Sequence, residues 1–167
     1  MKLMVSIALK TPGSPEMTDV AAGFDLIKNY VDVAGISTYG YAFYSHPDKG
    51  NPDNLPDNWI SQINTIAPGK PCGVTETGWI AENLSIPAYS LDVSGSEDYQ
   101  QEYIARLFNE CSALDAEMII LFTAYDYDTL WNDTLGQDDL SRIWKDTGLI
   151  DESFNQRKAL QTWREWF

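Results

Sequence analysis

Four short apolar runs constrain this chain more than anything else in it. They read KLMVSIAL (2–9), VDVAGIST (31–38), CGVTET (72–77) and EMIILFTA (117–124). Each is rich in Val or Ile, or is nearly continuous, as in strands buried on both faces of a parallel sheet. Helical patterns follow each run. Ser14-Pro15-Glu16 supplies a cap, a first-turn proline and an acid for the helix dipole. Met17, Val20, Ala21, Phe24 and Ile27 then recur at helical spacing. A second helix is predicted over Pro56–Ala67, carrying Trp59, Ile60, Ile63 and Ile66 and stopped by Pro68-Gly69. A third starts at Ser96-Glu97-Asp98, with Tyr99, Tyr103, Ile104, Leu107, Phe108 and Cys111 on one side. The last spans about Asn155 to Phe167, burying Ala159, Leu160 and Trp163 with Trp166 at its margin.

The order βαβαβαβα predicts parallel strands joined by right-handed crossovers. Each unit takes about 42 residues, so eight would need roughly 330, a size that suits a (β/α)₈ barrel. The expected fold is therefore α/β: a (βα)₄ half of a TIM barrel, residues 1–167 forming one domain. No internal repeat at that period is visible. Loop lengths agree with this reading. Only PGK separates Ala67 from Pro71, whereas Gly40–Pro56, Gly78–Gly95 and Asp126–Asn155 are long. Long loops after strands build sites at the C-terminal face.

Three strand ends should meet there. The second brings Tyr39 and Tyr41, the third Glu76, and the fourth Tyr125, Asp126, Tyr127 and Asp128, with Trp131 beyond. A carboxylate amid Tyr and Trp suits glycoside chemistry, which needs one carboxylate at the anomeric carbon and another carboxyl to protonate the leaving oxygen. A tyrosine hydroxyl beside the first keeps it ionised and oriented. Plainer readings stand beside these: a structural ion pair for Glu76, core packing for Tyr39, loop packing for Trp131, and turn or cap roles for Asp126 and Asp128.

Composition narrows the field. Aromatics reach 13%, with six Trp and nine Tyr, fitting either a large aromatic core or a groove with stacking platforms. A net charge of −14 argues against nucleic acid and anionic membrane surfaces as partners. No run reaches 18 apolar residues, so no membrane span is expected. Cys72 and Cys111 have no metal-ligand spacing and are read as buried thiols or one disulfide. With His46 the sole histidine, a multi-histidine metal site within one chain is excluded, and no metal or organic cofactor is expected.

DVAGISTYGY, KPCGVTETGW, the stretch ending at Trp131 and the trailing WKDTGLIDESFNQRKALQTW together resemble the C-terminal half of the (β/α)₈ retaining glycoside hydrolases. That superfamily carries its acid/base on strand four and its nucleophile on strand seven, and the nearest likeness is to the arabinogalactan endo-β-1,4-galactanases. The resemblance implies Glu76 as nucleophile equivalent, Tyr39 as its orienting partner, and Trp131 as a sugar platform. Tyr41, Trp79 and Tyr125 are further candidate substrate contacts. It implies an oligosaccharide or polysaccharide as ligand. The superfamily's Asn-Glu acid/base pair has no match on a strand here; Asn109-Glu110 falls inside the third predicted helix. A two-fold homodimer through the open edges is expected to close eight strands and bring the partner's Asp126 or Asp128 to the vacant position. A catalytically inactive carbohydrate-binding remnant, or a truncated, cloned or metagenomic fragment, is the alternative; Met1 directly at a strand favours truncation. Such hydrolases are mostly secreted, but MKLMVSIALK reads as a strand and not as a leader, so the residues fix no compartment.

Overall fold

A computed structural model describes residues 2–166; Met1 and Phe167, and the expectations that touch them, lie outside the described residues. Four parallel strands form one sheet in the order β1 (Met4–Ala8), β2 (Val33–Thr38), β3 (Cys72–Thr77) and β6 (Ile119–Leu121). A two-stranded antiparallel ribbon, β4 (Leu84–Ile86) and β5 (Leu91–Val93), sits in the loop after β3. The helices are α1 (Pro15–Ile27), α2 (Gly40–Phe43), α3 (Ile63–Ile66), α4 (Glu97–Ala113), α5 (Asp128–Asp133), α6 (Asp139–Arg142) and α7 (Lys158–Trp166). The architecture is mixed α/β and consistent with half of a TIM barrel.

The two long early helices begin as their sequences dictate. Ser14 accepts from the Met17 amide at 3.1 Å, and Ser96 from the Tyr99 amide at 3.1 Å. Ile7, Leu9, Ala34, Ile36, Cys72 and Val74 share one face of the sheet and a core with Phe24, Ile104, Leu107 and Phe108. The opposite face of the sheet is small and polar. Ser6 of β1 and Thr75 of β3 touch at 2.7 Å across β2. They can do so because Gly35 lies between them; a Cβ there would stand 2.6 Å from Thr75 Cγ2. Side chains of alternate strands meeting in one layer is the packing of a barrel interior.

The helix expected over Pro56–Ala67 is mostly turns, with α3 its only α-helical part. The Trp59, Ile63 and Asn64 amides bond three residues back, to Pro56, Ile60 and Ser61. Other groups intercept the regular bonds: Arg106 Nη2 takes the Pro56 carbonyl at 2.7 Å, Gln62 Nε2 takes that of Trp59 at 2.7 Å, and Glu110 Oε2 accepts from the Ile60 amide at 3.2 Å. Burying Trp59, Ile60 and Ile63 together outweighs helical regularity. The final helix starts later than expected, at Lys158. Both cysteines are free buried thiols, and burial pushes that of Cys111 up to about 12.

Arg106 ties α4 to the loop after β2. Its guanidinium pairs with Glu110 at 2.6 Å and donates to the Pro52, Leu55 and Pro56 carbonyls. Replacing it by Met strands three carbonyls and one carboxylate. Arg106→Met is expected to lose on the order of 3 kcal/mol, read as a lower urea midpoint at unchanged slope.

Candidate active site

The register between β2 and β3 slips once. Ile36 pairs with Val74, but Ser37 pairs with Glu76, leaving Thr75 as the extra residue of a bulge. The Thr75 hydroxyl satisfies the Ile36 carbonyl at 3.0 Å, and Ser6 donates to the Thr75 oxygen in turn. The slip delivers Glu76 to the end of its strand beside the residues that follow β2. There the Tyr39 hydroxyl donates to Glu76 Oε1 at 2.6 Å. Tyr39 is buried and Glu76 half-buried. Burial, then the bond to Glu76 and its charge, raise the Tyr39 hydroxyl far above the usual phenol range, so it stays a donor.

The site is braced from the core side. Thr77 donates to the Thr38 carbonyl at 2.9 Å, Trp59 Nε1 donates to Thr38 Oγ1 at 2.8 Å, and Tyr103 of α4 bonds to Thr77. Trp79 stacks on Tyr103 with ring centroids 4.5 Å apart and donates to the Gly50 carbonyl. Tyr41 donates to the Ile143 carbonyl at 2.9 Å. Both rings are fully buried, so Trp79 and Tyr41 offer no face to a sugar, which corrects their expected place among the substrate contacts.

The aromatic beside the pair is Trp144, half-buried and edge-on to Tyr39 at 5.7 Å. Its indole N–H has no acceptor among the described residues. Trp131 instead donates to the Asp138 carbonyl at 2.9 Å and carries the Arg142 guanidinium over its ring. Tyr125 donates to the Glu152 carbonyl and lines a hollow of about 470 Å³ with Asp126, Asp128 and Asp133. Neither Glu76 nor Tyr39 lines that hollow.

Asp126 and Asp128, expected to reach into a partner's site, are engaged within their own chain. Asp126 is almost wholly buried. It accepts from the Gly148 amide at 2.7 Å and faces Arg157 Nη2 at 2.7 Å, a contact of charge and not an aligned hydrogen bond. A side chain at Gly148 would put its Cβ 2.5 Å from Asp126 Oδ1. Asp128 pairs with Lys145 at 2.5 Å, and Lys145 also pairs with Asp146. Arg157 reaches Glu82 at 2.7 Å as well. Two carboxylate trios lie close enough to share an ion, Glu82 with Asp126 and Asp146, and Asp126 with Asp128 and Glu152. Arg157 and Lys145 already supply positive charge between them. Glu110 is spent on Arg106, away from the strand ends.

No family model matches the chain, and no curated protein does. Solved structures match it across most of its length. One is a Rhizomucor miehei β-1,3-glucanosyltransferase in complex with laminaritriose, at 16% identity and TM-score 0.54, covering 93% of this chain and 48% of that one. Another is a Ruminococcus gnavus β-glucuronidase, at 15% and 0.55, covering 97% and 25%. A third is the β-galacturonidase of Eisenbergiella tayi, at 19% and 0.51, covering 83% and 24%. The chain has a glycosidase-like fold. It spans less than half the length of each of these structures.

The acidic cluster sets a pH dependence. Burial raises Asp126 to about 7 against the pull of Arg157 and the Gly148 amide. Burial likewise raises Asp146, and burial with the Asp146 charge raises Glu82. These groups hold protons in the folded chain that the unfolded chain releases above about pH 4. Unfolding then releases protons, so stability falls as pH rises from about 4 to 7. Urea midpoints at pH 5 should exceed those at pH 8, and Asp126→Asn should flatten the slope.

Proposed function

We propose that the chain forms the nucleophile-bearing half of a glycoside-hydrolase-like site for β-linked polysaccharide, in the manner of the endo-β-1,4-galactanases it resembles, with residues 1–167 as one half-barrel domain. The observation that carries this is the 2.6 Å bond from Tyr39 to Glu76 at the ends of adjacent parallel strands. Glu76 is the working carboxylate. Tyr39 fixes its rotamer by donating to one of its oxygens. Trp144 is an aromatic beside the pair, edge-on to Tyr39, with its indole N–H buried. Tyr125 lines the hollow farther along the loops after β6, and Trp131 belongs to α5, whose Thr129, Leu130 and Asp133 line it too.

A second copy closes the barrel in this reading, since β1 and β6 each leave one edge unpaired in the sheet. The ion pairs of Asp126 and Asp128 favour a second reading for the single chain: oligosaccharide binding without hydrolysis. Loss of a proton donor removes a factor of roughly 10² to 10⁴ in rate.

Light scattering should give about twice 18.8 kDa for the purified chain; the monomer mass would overturn closure by a second copy. Hydrolysis of β-1,4-galactan, followed by reducing ends, should fall at least about 10³-fold in Glu76→Gln and about 10-fold in Tyr39→Phe, with folding intact by circular dichroism. Full activity in Glu76→Gln would remove Glu76 from the site.

A further inference from the structure

We infer that the hollow beyond β6 is a subsite for a sugar bearing a free ammonium group, so that the β-linked polysaccharide taken at this mouth is cationic. The inference rests on the carbohydrate reading above and names its substrate class. It needs no second copy of the chain.

The hollow encloses about 470 Å³, a small-molecule volume, and has the carboxyls of Asp126, Asp128, Asp133 and Glu152 in its wall. No lysine or arginine lines it. Two of the four carboxyls are answered from behind. Arg157 faces Asp126 and Lys145 pairs with Asp128, but the same two cations also serve Glu82 and Asp146. Asp133 and Glu152 are exposed and their carboxyls have no ion pair among the described residues. Counting Glu82 and Asp146 behind the wall, six carboxyls share two cations, and the deficit faces the hollow.

Asp126 points to a ligand more directly. Its side chain is wholly buried, yet Oδ2 accepts no hydrogen bond; Arg157 meets it by charge alone. Asp128 Oδ2 is buried and accepts none either. Carboxyl oxygens of Asp126, Asp128 and Glu152 all lie within 4.8 Å of one another. Buried acceptors left without donors are costly, and an ammonium brings three N–H donors together with a positive charge.

The rest of the wall suits an amphipathic sugar better than a bare ion. Thr129 and Thr134 offer hydroxyls, and Leu130 an exposed apolar patch. Tyr125 lines the hollow too, and the Phe154 ring leans on it with centroids 5.0 Å apart. Phe154 is largely exposed, and its φ of 68° is one that glycine ordinarily takes. Asp151 fastens that turn by accepting from the Ser153 and Asn155 amides. An aromatic held in water in that conformation adds nothing to the core. Beside carboxylates, such rings offer an ammonium a π face.

The hollow adjoins the Tyr39–Glu76 pair without including it. β6 is the neighbour of β3 in the sheet, and the Phe122 amide donates to the Thr77 carbonyl at 2.6 Å. The Phe122 ring then meets Tyr127, which lines the hollow. A sugar at Glu76 and an ammonium in the hollow thus belong to different units of one bound polysaccharide. The net charge of −14 acts in the same sense at longer range, drawing a polycation toward the mouth and repelling a polyanion.

The test is calorimetry at low salt and mildly acidic pH, where sugar amines are protonated. The probes are β-1,4-linked oligomers of equal length made of glucosamine, N-acetylglucosamine and galactose. The glucosamine oligomer should bind at least about 10-fold tighter than the other two. Asp133→Asn combined with Glu152→Gln should remove that advantage, since both side chains are exposed and the ion pairs behind the wall stay in place. Raised salt should remove it too. Equal or weaker binding of the glucosamine oligomer overturns the ammonium subsite and leaves the carbohydrate reading standing. An advantage that survives the double substitution overturns its place in the hollow. Calcium that binds the parent, displaces the glucosamine oligomer and is lost in the double variant makes the hollow a metal site and overturns the inference as well. If none of the oligomers binds, the carbohydrate reading itself fails, and the inference with it.

Discussion

The pairing of β2 with β3, with its single slip at Thr75, is the constraint on which the site depends. Without the slip Glu76 would sit one register position further along, opposite Thr38, whose hydroxyl is committed to Trp59. The bulge is made affordable by Thr75, which returns a hydrogen bond to the carbonyl left over by the slip. Gly35 then admits Thr75 to the inner face, where Ser6 meets it. One extra residue thus couples three strands and aims one carboxylate.

Electrostatics divide the mouth into two parts. At the Tyr39–Glu76 pair the partner of the carboxyl is a single neutral phenol donor and no cation. At the loops after β6 the carboxylates are many, buried and matched to Arg157 and Lys145. Buried ion pairs of this type add little net stability but are costly to break. They hold the long closing loop in one shape, with Gln100 of α4 donating to the Trp79, Thr147 and Gly148 carbonyls to complete it.

Near-continuous apolar runs make the four sheet strands legible in sequence, a pattern typical of parallel sheets. Glu76 and Tyr39 were legible as strand ends, and the structure brings them within hydrogen-bond reach. Trp79 and Tyr41 differ from expectation because a residue just past a strand can turn into the core as easily as out of it; Gly78 and Gly40 precede them, where a Cβ would crowd the Phe122 carbonyl and Leu55. Pro56–Ala67 had helical periodicity, but long-range partners, Arg106 and Glu110, took its backbone groups. Nothing local gives Trp144 a place at the site; only the fold brings the closing segment back against Tyr39. Asp126 lost its expected role for the same reason, through Arg157, which lies 31 residues further on in the sequence.

Arg157 also bears on how the chain is made. Its guanidinium gathers Glu82, Asp126 and the Asp146 carbonyl, all of which leave the ribosome before it does. Until Arg157 emerges, the nascent mouth holds an acid whose burial has no guanidinium to offset it. The sheet can form early from its own strands, whereas the loops around the mouth cannot lock. A nascent chain stopped short of Arg157 would also lack α7, which packs on α4, so the last residues to emerge complete the rim and the outer layer together.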